Sequence, residues 1–128
     1  MLKNMKGYKS KRYDFPTVHY CRTLELRNNP ELIKEYRRRH EKGNVWQEII
    51  DGIRQVGILE MEIYILGTRL FMIVETPADL DLDAAMNKLA TLPRQAEWEA
   101  YMSELQDTSA DATSDEKWQM MERMFYLY

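Results

Sequence analysis

The stretch "ILEMEIYILGTRLFMIVET", residues 58–76, constrains the fold more than any other part of the chain. Leu59, Met61, Ile63 and Ile65 alternate with Glu60, Glu62 and Tyr64. A period of two is the signature of a strand with one buried and one wet face. "RLFMIVET" reads as a second strand, and Gly67-Thr68 between them as a tight hairpin turn. A hairpin cannot bury its apolar face alone and needs a further layer against it.

The rest of the chain supplies that layer. "TVHYCRTLEL", Thr17 to Leu26, is rich in β-branched and aromatic residues and reads as a strand. "RNNP" is a turn, with Asn29 placed to cap a helix and Pro30 to start it. Leu32, Ile33 and Tyr36 follow at helical spacing, and the helix is expected to reach His40 or Lys42 before Gly43-Asn44 interrupts it. "VWQEIIDGIRQV" resumes the helical pattern, and Gly57 is a natural stop. "PADLDLDAAMNKLATLP" reads as a helix with acidic residues at its favourable end, closed by Pro93. "RQAEWEAYMSEL" is the next helix, with Trp98, Tyr101 and Met102 as its bulky positions. Residues 106–115, "QDTSADATSD", read as a long surface loop, and "KWQMMERMFYLY" as a last strand ending the chain. The order predicts a ferredoxin-like βαββαβ α+β sandwich, an antiparallel sheet with helices on one face. The other sheet face is left open, and covering it with a second copy predicts a homodimer of the dimeric α+β barrel type.

At 128 residues the chain is sized for one domain, expected over residues 16–128. Residues 1–16 carry Lys3, Lys6, Lys9, Lys11 and Arg12 against Asp14, a local charge of +4 within a net charge of −3. Residues 1–15 read as a flexible basic extension. No apolar run follows it, so it is not a secretory leader, and no stretch is apolar enough to span a bilayer. The acidic balance argues against nucleic acid as a partner. The single cysteine, Cys21, excludes an internal disulfide and cannot alone build a zinc site. The expectation is a cytoplasmic protein with no bound metal and no cofactor.

The chemistry narrows to "EYRRRHEKGNVWQEI", residues 35–49. Residues four apart share a helix face, so His40 continues the stripe of Ile33 and Tyr36. Glu35 and Arg39 are spaced for an exposed ion pair, and the arginines read as a solvated face. A phosphate site would want a Gly-rich loop at a helix start, and this run ends a helix. An imidazole closing an apolar stripe would look into a cleft, and its ordinary pKa lets it give and take protons near neutrality, although on the stripe alone a satisfied core or surface histidine is the better reading. Trp46 reads as core. Glu60 and Glu62 share a solvated strand face, and Glu75 ends the second hairpin strand. No Ser-His-Asp order, CxxC, GxGxxG or P-loop is present.

"EYRRRH", the tryptophan six residues later, "MEIYILGTRLFMIVE", "EWEAYM" and the terminal "FYL", in this order over Thr17 to Leu127, resemble the L-rhamnose mutarotase family. Its YxRxH segment is matched by Tyr36 to His40. The resemblance implies a small homodimer that interconverts the α and β anomers of a 6-deoxy sugar without a cofactor. It places the catalytic histidine on His40, a substrate-contacting tyrosine on Tyr36, and one tryptophan of a Trp-Trp pair on Trp98. The chain departs from the pattern at Glu99, where the second tryptophan stands, and at Met61, where a tyrosine stands. "MEIYILGTRLFMIVE" and "EKWQMMERMF" look more like a branch associated with L-fucose. The implied mechanism has His40 shuttle a proton, Tyr36 hydrogen-bond the sugar and Trp98 stack on it, with water or Glu75 as the second proton carrier. A non-catalytic sugar-binding protein of the same fold is the competing expectation. An interaction protein working through residues 1–15 is a third.

Overall fold

The structure, a computed structural model, describes residues 7–128. The chain runs β1 (Thr17–Glu25), α1 (Pro30–Arg39), α2 (Gln47–Gln55), β2 (Glu60–Leu66), β3 (Arg69–Pro77), α3 (Leu82–Leu89), α4 (Gln95–Ser103), α5 (Ser114–Lys117) and β4 (Gln119–Met120). The four strands form one antiparallel sheet in the order β2-β3-β1-β4. This is the ferredoxin-like α+β arrangement that the element order predicts.

The hairpin forms as its alternation requires. Glu60 pairs with Glu75 and Leu66 with Arg69, and Gly67 closes the turn at φ 61. Positive φ is where glycine carries no steric penalty. Along β3, Leu70, Met72, Val74 and Thr76 are buried, and the residues between them are half-buried. The same parity places Leu24 inward on β1. Against this face lie Tyr36 of α1, Ile49 of α2, Met86 of α3, and Trp98 and Met102 of α4. Each such side chain contributes about 1.5–3 kcal/mol by leaving water. Asn29 caps α1 through its side-chain oxygen, which accepts from the backbone N–H of Glu31 and of Leu32. Gly57 ends α2 at φ 102 and sits against the Leu80 side chain. The acidic helix is shorter than its pattern suggests. It spans Leu82–Leu89 with Asp81 as its cap, because β3 runs on to Pro77.

The opposite sheet face carries Cys21, Thr23, Phe71, Ile73 and Glu75, by the same alternation. Residues 7–15 form no helix or strand. From them, Tyr8 meets Tyr64 edge-on at 5.8 Å and the Tyr13 hydroxyl donates to Glu60. The first part of the expected basic extension, residues 1–6, lies outside the described residues.

Two expectations need correcting. The last strand is only Gln119–Met120, paired with Thr23 and Arg22 of β1. Lys117 belongs instead to the short helix α5, and Trp118 is buried. Beyond Met121, whose N–H donates to Cys21 O, the chain leaves the ladder, and Met124, Phe125, Leu127 and Tyr128 are exposed. β-propensity alone does not make a strand without a partner to accept its hydrogen bonds. Nor is the 106–115 segment all surface. Gln106 is 2% exposed and bridges Leu26, while Asp107 N–H donates to Glu25 O.

Candidate functional site

His40 is the residue immediately after α1 and caps its C-terminus. Its Nδ1 lies 2.9 Å from the carbonyl oxygen of Tyr36, one of the carbonyls a helix end leaves without a partner. A carbonyl only accepts, so Nδ1 carries the proton and Nε2 is the basic nitrogen of the ring. Burial lowers the His40 pKa, the Tyr36 carbonyl opposes that shift, and the Arg39 charge adds to it. The imidazole is therefore neutral at pH 7, with a lone pair on Nε2.

The Tyr36 ring packs against His40 with centroids 4.4 Å apart. Its hydroxyl receives a hydrogen bond from Gln106 Nε2 at 3.4 Å. Burial raises the Tyr36 pKa well above the phenol range, against the opposing pull of Gln106, so the hydroxyl keeps its proton. Trp98 meets His40 edge-on at 5.8 Å and Trp46 edge-on at 5.1 Å. Trp46 in turn stacks on Tyr101. The three rings expected to act together thus line one cleft of about 480 Å³, within the range of small-molecule sites. Ile50, Ile53, Met61 and Ile63 form its apolar lining, and Gln95, Glu99 and Gln106 its further polar lining.

The arginine run divides. Arg37 and Arg38 are exposed, and Arg38 pairs with Glu35 at 2.7 Å. Arg39 is not a solvated residue. It is 9% exposed, lies over the Tyr101 ring at 3.6 Å, and pairs with Glu35 at 2.7 Å and Glu104 at 3.0 Å. A guanidinium over an aromatic face is attracted by the ring quadrupole, and its weak hydration tolerates burial. Arg94 does the same over Trp46 at 4.0 Å. Together the two arginines brace the aromatic group behind Trp98, Arg39 from a buried position and Arg94 from an exposed one.

The carboxylates also separate. Glu75 accepts from Thr17 Oγ1 at 2.6 Å, and its strand parity is opposite to that of Met72, which lines the cleft. Glu75 therefore stands on the other sheet face and is no partner to His40. Glu62 accepts from Tyr64 on that face as well. Two carboxylates line the cleft: Glu60 at the start of β2, which accepts from the Tyr13 hydroxyl, and, on α4, Glu99. Glu99 pairs with Lys117 at 2.8 Å and accepts from Gln95 Nε2 at 2.6 Å. Lys117 and Gln106 had no signal as site residues. Gln95 and Glu99 are four apart on the face of α4 that also carries Met102, and that spacing alone could have marked them.

Comparison with known proteins places the whole chain rather than its single residues. The family model described as L-rhamnose mutarotase matches residues 19–127. An L-fucose mutarotase of Xanthomonas campestris is 36% identical over 107 residues, 84% of this chain and 86% of the relative. An L-rhamnose mutarotase of Brucella anthropi is 28% identical over 91 residues, 69% of this chain and 79% of the relative. The crystal structure of an L-rhamnose mutarotase from Formosa agariphila superimposes with a TM-score of 0.64 at 18% identity, covering 87% of this chain and 99% of that one, and so shares the fold. With a match over nearly its whole length, the chain belongs to the L-rhamnose mutarotase family.

Proposed function

We propose that the cleft interconverts the α and β anomers of a 6-deoxy L-sugar, L-fucose or L-rhamnose, with His40 as the acid/base residue. Membership of the family makes the chain a carbohydrate isomerase. The observation that carries the role of His40 is its Nδ1–H fixed on the Tyr36 carbonyl, which leaves a neutral Nε2 in a cleft of mixed apolar and polar lining.

Anomer exchange requires the pyranose ring to open and reclose. The anomeric hydroxyl loses a proton and the ring oxygen gains one as the C1–O5 bond breaks. Reclosure on the other face of the aldehyde reverses both transfers. Nε2 of His40 takes the anomeric proton and returns it, while a water molecule gives the ring oxygen its proton and takes it back on reclosure. Tyr36, protonated and held by Gln106, donates a hydrogen bond to a sugar oxygen. Trp98 offers its ring to an apolar sugar face, and the isoleucine and methionine lining suits the C6 methyl group. A positioned acid/base group accelerates such a step by about 10²–10⁴-fold.

Residues 16–128 carry this activity, with residues 1–15 as a basic extension. The working form is a homodimer, supported by the exposed Met124, Phe125 and Leu127 beyond β4. Sedimentation at micromolar concentration should give twice the chain mass, and a stable monomer refutes the dimer. No helix among the described residues is long and apolar enough to cross a membrane.

The test is magnetisation transfer between the anomeric proton signals of L-fucose and of L-rhamnose by NMR. Exchange faster with protein than without is expected for at least one sugar. Folded protein that binds either sugar yet leaves both exchange rates at the buffer value makes the chain a binding protein instead.

A further inference from the structure

The cleft wall opposite chemical expectation is a buried ion pair. The Lys117 side chain is 0% exposed and that of Glu99 is 11% exposed. Lys117 Nζ donates to Glu99 Oε1 at 2.8 Å, to the Glu99 carbonyl at 2.7 Å and to Gln106 Oε1 at 2.9 Å. An ammonium has three N–H donors, so Lys117 has none left for a ligand. Its effect on the cleft therefore passes through its neighbours.

Two consequences follow from that saturation. Gln106 must turn its amide oxygen toward the ammonium, which directs its Nε2 to the Tyr36 hydroxyl. Tyr36 oxygen then accepts from Gln106, and its own proton is left to donate. Glu99 has one oxygen on Lys117 and the other on Gln95 Nε2. A carboxylate has about four acceptor positions, so each oxygen retains one. Glu99 faces the same cleft as His40 and Tyr36. A buried ion pair is seldom worth more to stability than the apolar pair that would fill its place. Its position in a cleft wall is better accounted for by what it offers a ligand.

Resting on the mutarotase reading, we propose that Glu99 accepts a hydrogen bond from one ring hydroxyl of the sugar and selects among sugars by it, with Lys117 as the residue that positions this acceptor. Glu99 touches substrate in this assignment; Lys117 acts only through Glu99 and Gln106. A site built to accept from a hydroxyl rejects an analogue that lacks it, because the buried acceptor is then left unpaired.

The experiment crosses two changes. Anomer exchange is measured by NMR for the sugar that the protein accepts and for analogues lacking one ring hydroxyl at a time, with the wild type and with Glu99→Gln. The wild type should lose about tenfold to a hundredfold in kcat/KM on one analogue. Glu99→Gln should be slower on the parent sugar and lose little more on that analogue. Equal losses in both proteins for every analogue overturn the assignment, since a purely structural Glu99 cannot read which hydroxyl is missing. If Glu99→Gln does not fold, the double variant Glu99→Leu/Lys117→Met is read the same way, with both charges removed. A folded wild type that accelerates exchange of no sugar overturns the mutarotase reading itself, and this inference with it.

Discussion

His40→Ala slows anomer exchange by about 10²–10⁴-fold and leaves the protein folded. The imidazole makes one hydrogen bond to the chain, to the Tyr36 carbonyl, so its removal costs about 1 kcal/mol of stability. Exchange by NMR and the thermal melt of the same sample separate the two effects. A folded His40→Ala protein with the wild-type exchange rate removes the histidine from the mechanism. The pH profile of the wild type supplies a second check. The basic form of His40 is the neutral one, and burial holds its pKa below the usual histidine value of 6.5. Activity should therefore be level through neutrality and fall as pH drops through that lowered pKa. The same sign holds for stability. The folded pKa lies below the unfolded one, so the contribution of neutral His40 is present above pH 6.5 and is lost as pH falls through the lowered pKa. An acid limb centred above pH 6.5 contradicts a buried, uncharged base.

Lys117→Met is expected to be the most destabilising single substitution near the cleft. It leaves the Glu99 carboxylate buried without its cation and frees Gln106 Oε1 from its donor. Removing one partner of a buried pair costs about 3–5 kcal/mol. For a domain of this size that is a fall in Tm on the order of 10–20 °C. The double variant Glu99→Leu/Lys117→Met should recover most of the loss, because no charge is left in the interior. Calorimetry on the wild type, Lys117→Met and the double variant completes the comparison. A Lys117→Met melt within about 2 °C of wild type means the pair is open to water and the buried geometry is wrong. Lys117 itself illustrates the balance. Burial lowers its pKa, while the Glu99 charge and hydrogen bond pull the value back up.

The first strand of the central hairpin announces itself, because alternation is a local property; the second is a continuous apolar run, and the buried parity of Leu70, Met72 and Val74 is set by its pairing with β2 and β1. The Asn29 cap and the Gly67 turn are legible as that alternation is, each being chemistry between near neighbours. The chain end is not. Trp118, Met120 and Phe125 all favour a strand, yet only Gln119 and Met120 find an edge to pair with. Whether a segment has a partner strand is a property of the sheet, not of the segment.

The site divides along the same line. Tyr36 and His40 are four apart on one helix, so their shared face follows from helical geometry. That Trp98 meets them depends on how α4 packs, and resemblance rather than spacing pointed to it. Arg39 looked like its exposed neighbours, and only the position of Tyr101 across from it decided its burial. Lys117 lies eighteen residues from Glu99 in a polar stretch, with nothing local to mark it. Local periodicity and capping thus determine the first three strands, the helices α1 to α4 and the placement of His40 at a helix end. Tertiary packing alone decides the polar wall of Glu99, Lys117, Gln95 and Gln106, because a charge becomes costly, and its partner necessary, only once distant elements have closed over it and excluded water.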